Sequence, residues 1–288
     1  MIIVQAALAG ALTGGLFAVM AVGMSLTWGM LRVINLAHFA LILLGAYLTF
    51  QISTSLSLDP VLTLVVTVPV LFIAGAVIQL AFDRLRLTEF NSLIVSFGLL
   101  IIAVQLASNV WSADFQRLDV RVNPYATQAV TVGPLAFPLP TLLAFVLGAA
   151  IVLGAHAVLT RTYPGRALRA FAQDRAIASA FGIDHVRLAT LLAGASGATA
   201  AVAGMLYALG SAIIPTAPFE WVGIVFAVVI LGGIGDAIGT FLAAVIVGAV
   251  SGVVAVVLSP AAAPFVIFSA VVLALLLRPE GVFARRTA

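Results

Sequence analysis

Long apolar runs separated by short polar connections dominate the chain. They fall at about 4–30, 36–56, 61–82, 91–111, 138–160, 188–212, 218–234, 238–258 and 263–277. A helix needs about 20 apolar residues to cross the hydrocarbon core of a bilayer, and most of these runs meet that length. Backbone inside hydrocarbon must satisfy its own hydrogen bonds, so each run is expected to be helical. The first two runs are separated only by Leu31-Arg32-Val33-Ile34-Asn35, and the seventh is short and broken at Gly232-Gly233 and Gly235. The expected fold is an all-α polytopic transmembrane bundle of about eight to ten segments, broken or re-entrant helices among them. It forms a single domain over 1–288 without a clear internal repeat. The opening Met1-Ile2-Ile3-Val4-Gln5 lacks the positively charged n-region of a cleaved signal, so the first run reads as a retained span.

Composition agrees with the pattern. Hydrophobic residues make up 64% of the 288 positions and charged residues 8%, with a mean hydropathy of +1.27. A soluble domain is about a quarter charged, because its surface must face water. Lipid is the solvent this chain fits.

The charges orient it. All 13 basic residues are Arg. If every run crosses once, Arg32, Arg84, Arg86, Arg161, Arg166, Arg169, Arg175, Arg187, Arg278, Arg285 and Arg286 share one side, and Arg117 and Arg121 lie on the other. The positive-inside rule makes the first side cytoplasmic and places the C-terminus there. The long polar connection at about 112–137 is then external, and that at about 161–187, with five Arg, is cytoplasmic. A net charge of +3 without a basic polar face gives no footprint for nucleic acid.

Several chemistries are excluded. Without Cys there is no disulfide and no thiolate site. Three His give no metal-ligand spacing and no nucleophile–base pattern. A P-loop requires a Lys on the terminal phosphates, and this chain has no Lys. Any ATP that drives it is bound elsewhere.

In the cytoplasmic connection Pro164-Gly165 marks a turn, sixteen helix-forming residues follow, and Gly182 suits a helix stop. Asp184 suits the N-cap of the next span. On one helix from Arg166 to Gly182, Phe171, Ala178 and Phe181 would share a face, and Arg166, Arg169 and Gln173 another. Such an amphipathic helix serves either as a docking element for a cytoplasmic partner or as a connector lying on lipid headgroups.

Five stretches carry a resemblance. Gly165-Arg166-Ala167-x-Arg169-Ala170-x-Ala172-x-Asp174, followed by Ala178, Gly182-Ile183 and Arg187, is the most informative. The others are Leu31-Arg32-Val33-Ile34-Asn35-Leu36-Ala37-His38 with Leu44-Gly45-Ala46-Tyr47, Ser96-Phe97-Gly98-Leu99 with Gln105, Trp111 and Asp114, Leu231-Gly232-Gly233-Ile234-Gly235 with Gly239, and Leu277-Arg278-Pro279-Glu280-Gly281-Val282-Phe283. In this order they resemble the permease subunits of bacterial ABC importers for branched-chain amino acids, specifically the shorter of two paired permeases. The resemblance implies a bacterial inner-membrane location and pairing with a longer permease. It also implies two cytoplasmic ATPases that carry ATP and Mg, and a periplasmic binding protein that delivers the solute. No cofactor is then bound by this chain. Gly165, Arg166, Arg169, Ala172, Asp174, Ala178 and Gly182 would form the ATPase-coupling element.

Polar residues within the spans are candidates for a solute path, because such groups usually face a protein interior or water. Asn35 and His38, at i and i+3, either line a gate or hold a broken helix through hydrogen bonds. The family usually follows this His with Gly and a polar or acidic residue, where this chain has Phe39-Ala40. Gln105 and Asn109, at i and i+4, suit either a path or helix packing. Glu220, beside Trp221, is either a pathway carboxylate or an interfacial group. Competing readings of the chain are a stand-alone secondary transporter or channel, or a sugar-type ABC permease. The Cys-free background makes orientation directly testable. An impermeant maleimide should label Arg117→Cys in intact cells and Arg187→Cys only after permeabilisation; the reverse pattern overturns the assignment.

Overall fold

The computed structural model describes residues 1–277. Arg278, Arg285, Arg286 and the C-terminal motif beyond Leu277 lie outside the described residues. Among those described, nine apolar helices follow the hydropathy runs closely: α1 (Ile2–Leu31), α2 (Ala37–Leu56), α3 (Leu64–Arg84), α4 (Glu89–Trp111), α5 (Leu139–Arg161), α8 (His185–Gly210), α9 (Ala217–Gly232), α10 (Ala237–Val257) and α11 (Ala262–Leu277). Seven are long and apolar enough to cross a membrane; α9 and α11 are shorter. At 16 residues each, those two reach only about 24 Å. Between α5 and α8 lie α6 (Tyr163–Gln173) and α7 (Arg175–Ala180).

Helix packing relies on small residues. The most extensive contacts join α1 to α10, α3 to α8, and α2 to α8. Lipid offers no hydrophobic drive between helices, so close approach must supply the attraction, and small side chains allow it. In the antiparallel α1–α10 seam a Cβ on Gly10 would collide with the Gly248 carbonyl, and one on Gly14 would lie 2.5 Å from the Ala244 carbonyl oxygen. Between α3 and α8, Gly75 and Gly197 play the same role against Ala193 and Leu71. Between α2 and α8, Gly204 sits against the Ile42 carbonyl.

The central helix is α2. From Ala37 to Leu43 and from Gly45 to Tyr47 every residue is buried, and Tyr47 stacks on Trp111 with ring centroids 4.8 Å apart. It starts deep: His38 meets the carbonyl of Met20 at 2.9 Å, about 16 Å along α1 from its end at Leu31. The chain reaches that depth through the non-helical 32–36 linker, laid along the first turns of α4. Ser96 Oγ accepts from the Leu36 N–H at 2.9 Å, and Ser92 Oγ donates to the Ile34 carbonyl at 3.4 Å.

Alternation of the helices sorts the connections to two ends. One carries Arg32, Arg84, Arg86, Arg161, Arg166, Arg169, Arg175 and Arg187; the other carries Arg117 and Arg121. The poor end holds the long 112–138 connection. A small antiparallel hairpin forms there, β1 (Ala129–Val132) against β2 (Leu135–Pro138), which the hydropathy pattern does not predict. Gly133, at φ 60, makes its turn possible. The connection is tied down: Gln116 pairs with Ile213, Asn123 Nδ2 donates to the Leu209 carbonyl at 3.0 Å, and the Tyr125 hydroxyl donates to Asp59 at 2.8 Å. Partial burial, then this bond and the Asp59 charge, push the Tyr125 phenol up.

Packing of the α1–α10 seam predicts that Gly248→Val lowers stability by about 1–3 kcal/mol, read as a lower unfolding temperature in detergent. Gly98→Ala is the control, since nothing lies within 4 Å of its Cβ position; equal losses from both would remove the seam from the account.

Candidate functional site: the helices at the arginine-rich end and the buried polar cluster

The cytoplasmic connection differs from the single helix expected. Thr162 caps α6 by accepting from the Gly165 N–H at 3.3 Å, and Pro164 occupies the first turn of the helix rather than a preceding turn. At Asp174 the backbone becomes extended, with φ −146 and ψ 109. Its Oδ1 accepts from the Ile177 N–H at 3.0 Å and so starts α7. A side chain able to cap competes with helix continuation, and here it divides one segment into two.

The break redistributes the faces. Phe171 (5% exposed) and Ala178 (3%) are buried as expected, but Phe181 (82%) is not. Arg166, Arg169 and Gln173 are exposed, as are Tyr163 and Ile177. On the inner side Gly165 packs so closely on α5 that a Cβ would strike the Val158 carbonyl. Phe171 stacks on His185 at the start of α8, centroids 5.8 Å apart and planes 1° from parallel. Ala172 is half-buried. Gly182 ends the segment at φ 78, in line with the helix stop expected there. Asp184 caps α8 by accepting from the Arg187 N–H at 3.1 Å.

A cavity of about 450 Å³ separates α6 from the α9–α10 connection, with Arg169 and Gln173 on one wall and Gly233, Gly235 and Asp236 on another. Gly233 (φ 92) and Gly235 (φ 87) both require the left-handed freedom of glycine. Ser25 of α1 holds this bend by accepting from the Gly235 N–H at 3.1 Å, while its hydroxyl lies 3.0 Å from that of Thr240. The glycine motif was legible in the sequence; Ser25, an isolated hydroxyl in an apolar run, gave no signal.

The five polar candidates within the spans occupy three different settings. Asn35 lies just before the N-cap of α2, its Oδ1 accepting from the Ala37 N–H at 3.0 Å. His38 is 1% exposed. Its Nε2 must donate to the Met20 carbonyl, since a carbonyl only accepts, so Nδ1 accepts from the Ser196 hydroxyl at 3.0 Å. His38 thereby links α1, α2 and α8, whereas the Asn35 side chain bonds to the start of α2 itself. Gln105 and Asn109 bond one another at 3.1 Å on an exposed face of α4. Glu220 is exposed in the first turn of α9, at the opposite end from α6. No hydrogen bond joins the three groups among the described residues.

The family described as branched-chain amino acid transport system / permease component matches residues 6–277. The chain belongs to that family. It is 24% identical to the high-affinity branched-chain amino acid transport system permease protein BraD of Pseudomonas aeruginosa, over 96% of this chain and 94% of BraD. It is 25% identical, over the same shares, to the permease proteins LivH of Salmonella typhimurium and of Escherichia coli K12. No solved structure gives a significant match. The family match reaches all nine apolar helices, so this permease-family chain is a multi-pass membrane protein as a whole.

His38→Leu leaves the Met20 carbonyl and the Ser196 hydroxyl without a partner in a buried setting. A loss of about 1–3 kcal/mol is expected, read as a lower unfolding temperature in detergent. Unchanged stability would mean that the bonds are not holding α2.

Proposed function

We propose that this chain is one membrane subunit of an ATP-driven importer of branched-chain or related amino acids. It pairs with a second, longer permease in a bacterial inner membrane, with its arginine-rich end and its C-terminus in the cytoplasm. A periplasmic binding protein delivers solute at the opposite end, and two separate ATPases supply ATP and Mg. The permease names of the relatives support the solute class, and the lack of Lys supports a separate ATP site.

One observation carries the coupling role: α6 and α7 have an inner face and an outer face of different character. The inner face, with Gly165, Leu168, Phe171 and Ala178, is seated against the bundle. The outer face presents Arg166, Arg169, Tyr163, Ile177 and Phe181, the last three unusually large apolar groups for an exposed connection. A protein partner covers such a mixture of arginine and aromatic residues well, since these types concentrate at interface centres. A push on α6 reaches α5 through Gly165 and α8 through the Phe171–His185 stack. Asp174 acts as the joint between α6 and α7, and Arg169, Ala172 and Gly182 complete the element. Asn35, His38, Gln105, Asn109 and Glu220 remain path candidates, the last three on exposed surfaces that a second permease would cover.

Co-expression with the neighbouring ATPases tests this reading. Arg169→Glu should reduce co-purified ATPase and lower ATP-driven leucine uptake at least tenfold, with the amount of folded permease unchanged. Retained uptake in Arg169→Glu, or solute flux in vesicles lacking any ATPase, would overturn the reading; the latter outcome favours a stand-alone transporter.

A further inference from the structure

Because α2 begins beside Met20, about 16 Å along α1 from Leu31, the arginine-rich part of its column holds the 32–36 linker rather than a helix. Trp28, one turn before the end of α1, lies at that level. Its indole N–H donates to Glu89 Oε1, at the start of α4, at 3.1 Å. Its ring meets Phe226 of α9 with centroids 5.6 Å apart and planes tilted by 53°. Among the described residues α4 makes no extended contact with either α1 or α9. One side chain therefore bridges three helices, two of which are otherwise apart from the third.

Trp28 also joins two groups that are held separately. In the first, the last turns of α1 are locked to the α9–α10 bend. Ser25 accepts from the Gly235 N–H at 3.1 Å, and a Cβ on Gly29 would collide with the Gly235 Cα. The α6 helix, fastened to α5 and α8, also packs on α1. In the second group, Ser92 and Ser96 hold the 32–36 linker to α4. The Trp28–Glu89 bond crosses from the first group to the second. A carboxylate acceptor strengthens such a bond, while the exposure of Glu89 lets water replace it. Glu89 also lines a cavity of about 510 Å³, with Val33, Arg86, Phe171 and His185 among its other walls. That volume admits a small solute.

We propose that Trp28 is a strap across the cytoplasmic mouth of the solute path, resting on the transport reading above. With its bond made, the indole fills the gap between α4 and α9 below the start of α2. When the ATPases move α6, the end of α1 and the glycine bend shift together against α4 and its linker. The indole then leaves Glu89, water takes its place, and solute passes into the cavity beside Val33. Trp28 closes the path by its bulk, Phe226 backs the ring, and Glu89 is a positioning residue that holds it across the gap.

The assembled transporter, with both permeases and its ATPases, is reconstituted in proteoliposomes and supplied with binding protein and L-leucine. ATP hydrolysed per leucine imported should rise at least fivefold in Trp28→Ala and Glu89→Ala, at an unchanged amount of folded complex. Glu89→Gln keeps an acceptor oxygen and should stay within twofold, as should Arg84→Gln at the same end. Unchanged ratios in both alanine variants, or an equal rise in all four variants, overturn the proposal. If Trp28→Ala does not fold, a Trp28→Cys/Glu89→Cys double variant still decides. Bridging its two thiols with a short, reducible bifunctional reagent should lower uptake at least tenfold, with recovery on reduction. Uptake that survives the bridge refutes the strap. Failure of the unaltered complex to import any amino acid would instead refute the transport reading. The bridging yield then decides the strap: it should change at least twofold between nucleotide-free and vanadate-trapped complexes, and an unchanged yield overturns it.

Discussion

A helix that begins inside the bilayer exposes backbone donors where no water can take them, and the rest of this molecule is organised around that problem. The helix is α2. Its entry is satisfied locally by Asn35, which accepts from Ala37 N–H, and by Ser96, which accepts from Leu36 N–H. His38 then fixes the helix to Met20 of α1 and to Ser196 of α8. Each unmet group in hydrocarbon would cost several kcal/mol, so these few polar residues determine where α2 sits. Everything around it, α1, α4 and α8, is positioned by the same bonds.

A polar start in an apolar interior also explains the seams. Neighbouring helices must come close enough to surround α2 and exclude lipid from it. Gly10, Gly14 and Gly248 draw α1 and α10 together, while Gly75 and Gly197 do so for α3 and α8. Attraction there comes mainly from packing. The glycines that bend the chain, Gly233 and Gly235, act differently. They close α9 and open α10 beside Ser25 of α1, facing α6 across a cavity.

Function follows from how the arginine-rich end is built. Its two short helices are fastened on one side and exposed on the other, and their fastening points lie on α5 and α8. Two cavities flank them, one toward the glycine bend and one toward the 31–33 linker. A force applied to α6 would act first on α5 and α8. That fastening gives the proposed coupling its physical route.

The chain's hydropathy determined the nine apolar helices, because each must span or enter hydrocarbon by itself; their alternation determined which connections share an end, and arginine placement which end is the basic one. Its motifs also determined the family, since Gly165, Gly182 and the Gly232–Gly235 break mark backbone requirements that any neighbour would impose. Side-chain partners were decided only by the fold. The sequence placed His38 in an apolar run but did not show that Met20 and Ser196, distant along the chain, are its partners. Asp174 looked like one more helix residue until its cap on Ile177 N–H divided the segment and turned Phe181 outward. Hydrogen bonds between helices depend on depth and rotation, which period and composition leave free; packing sets both.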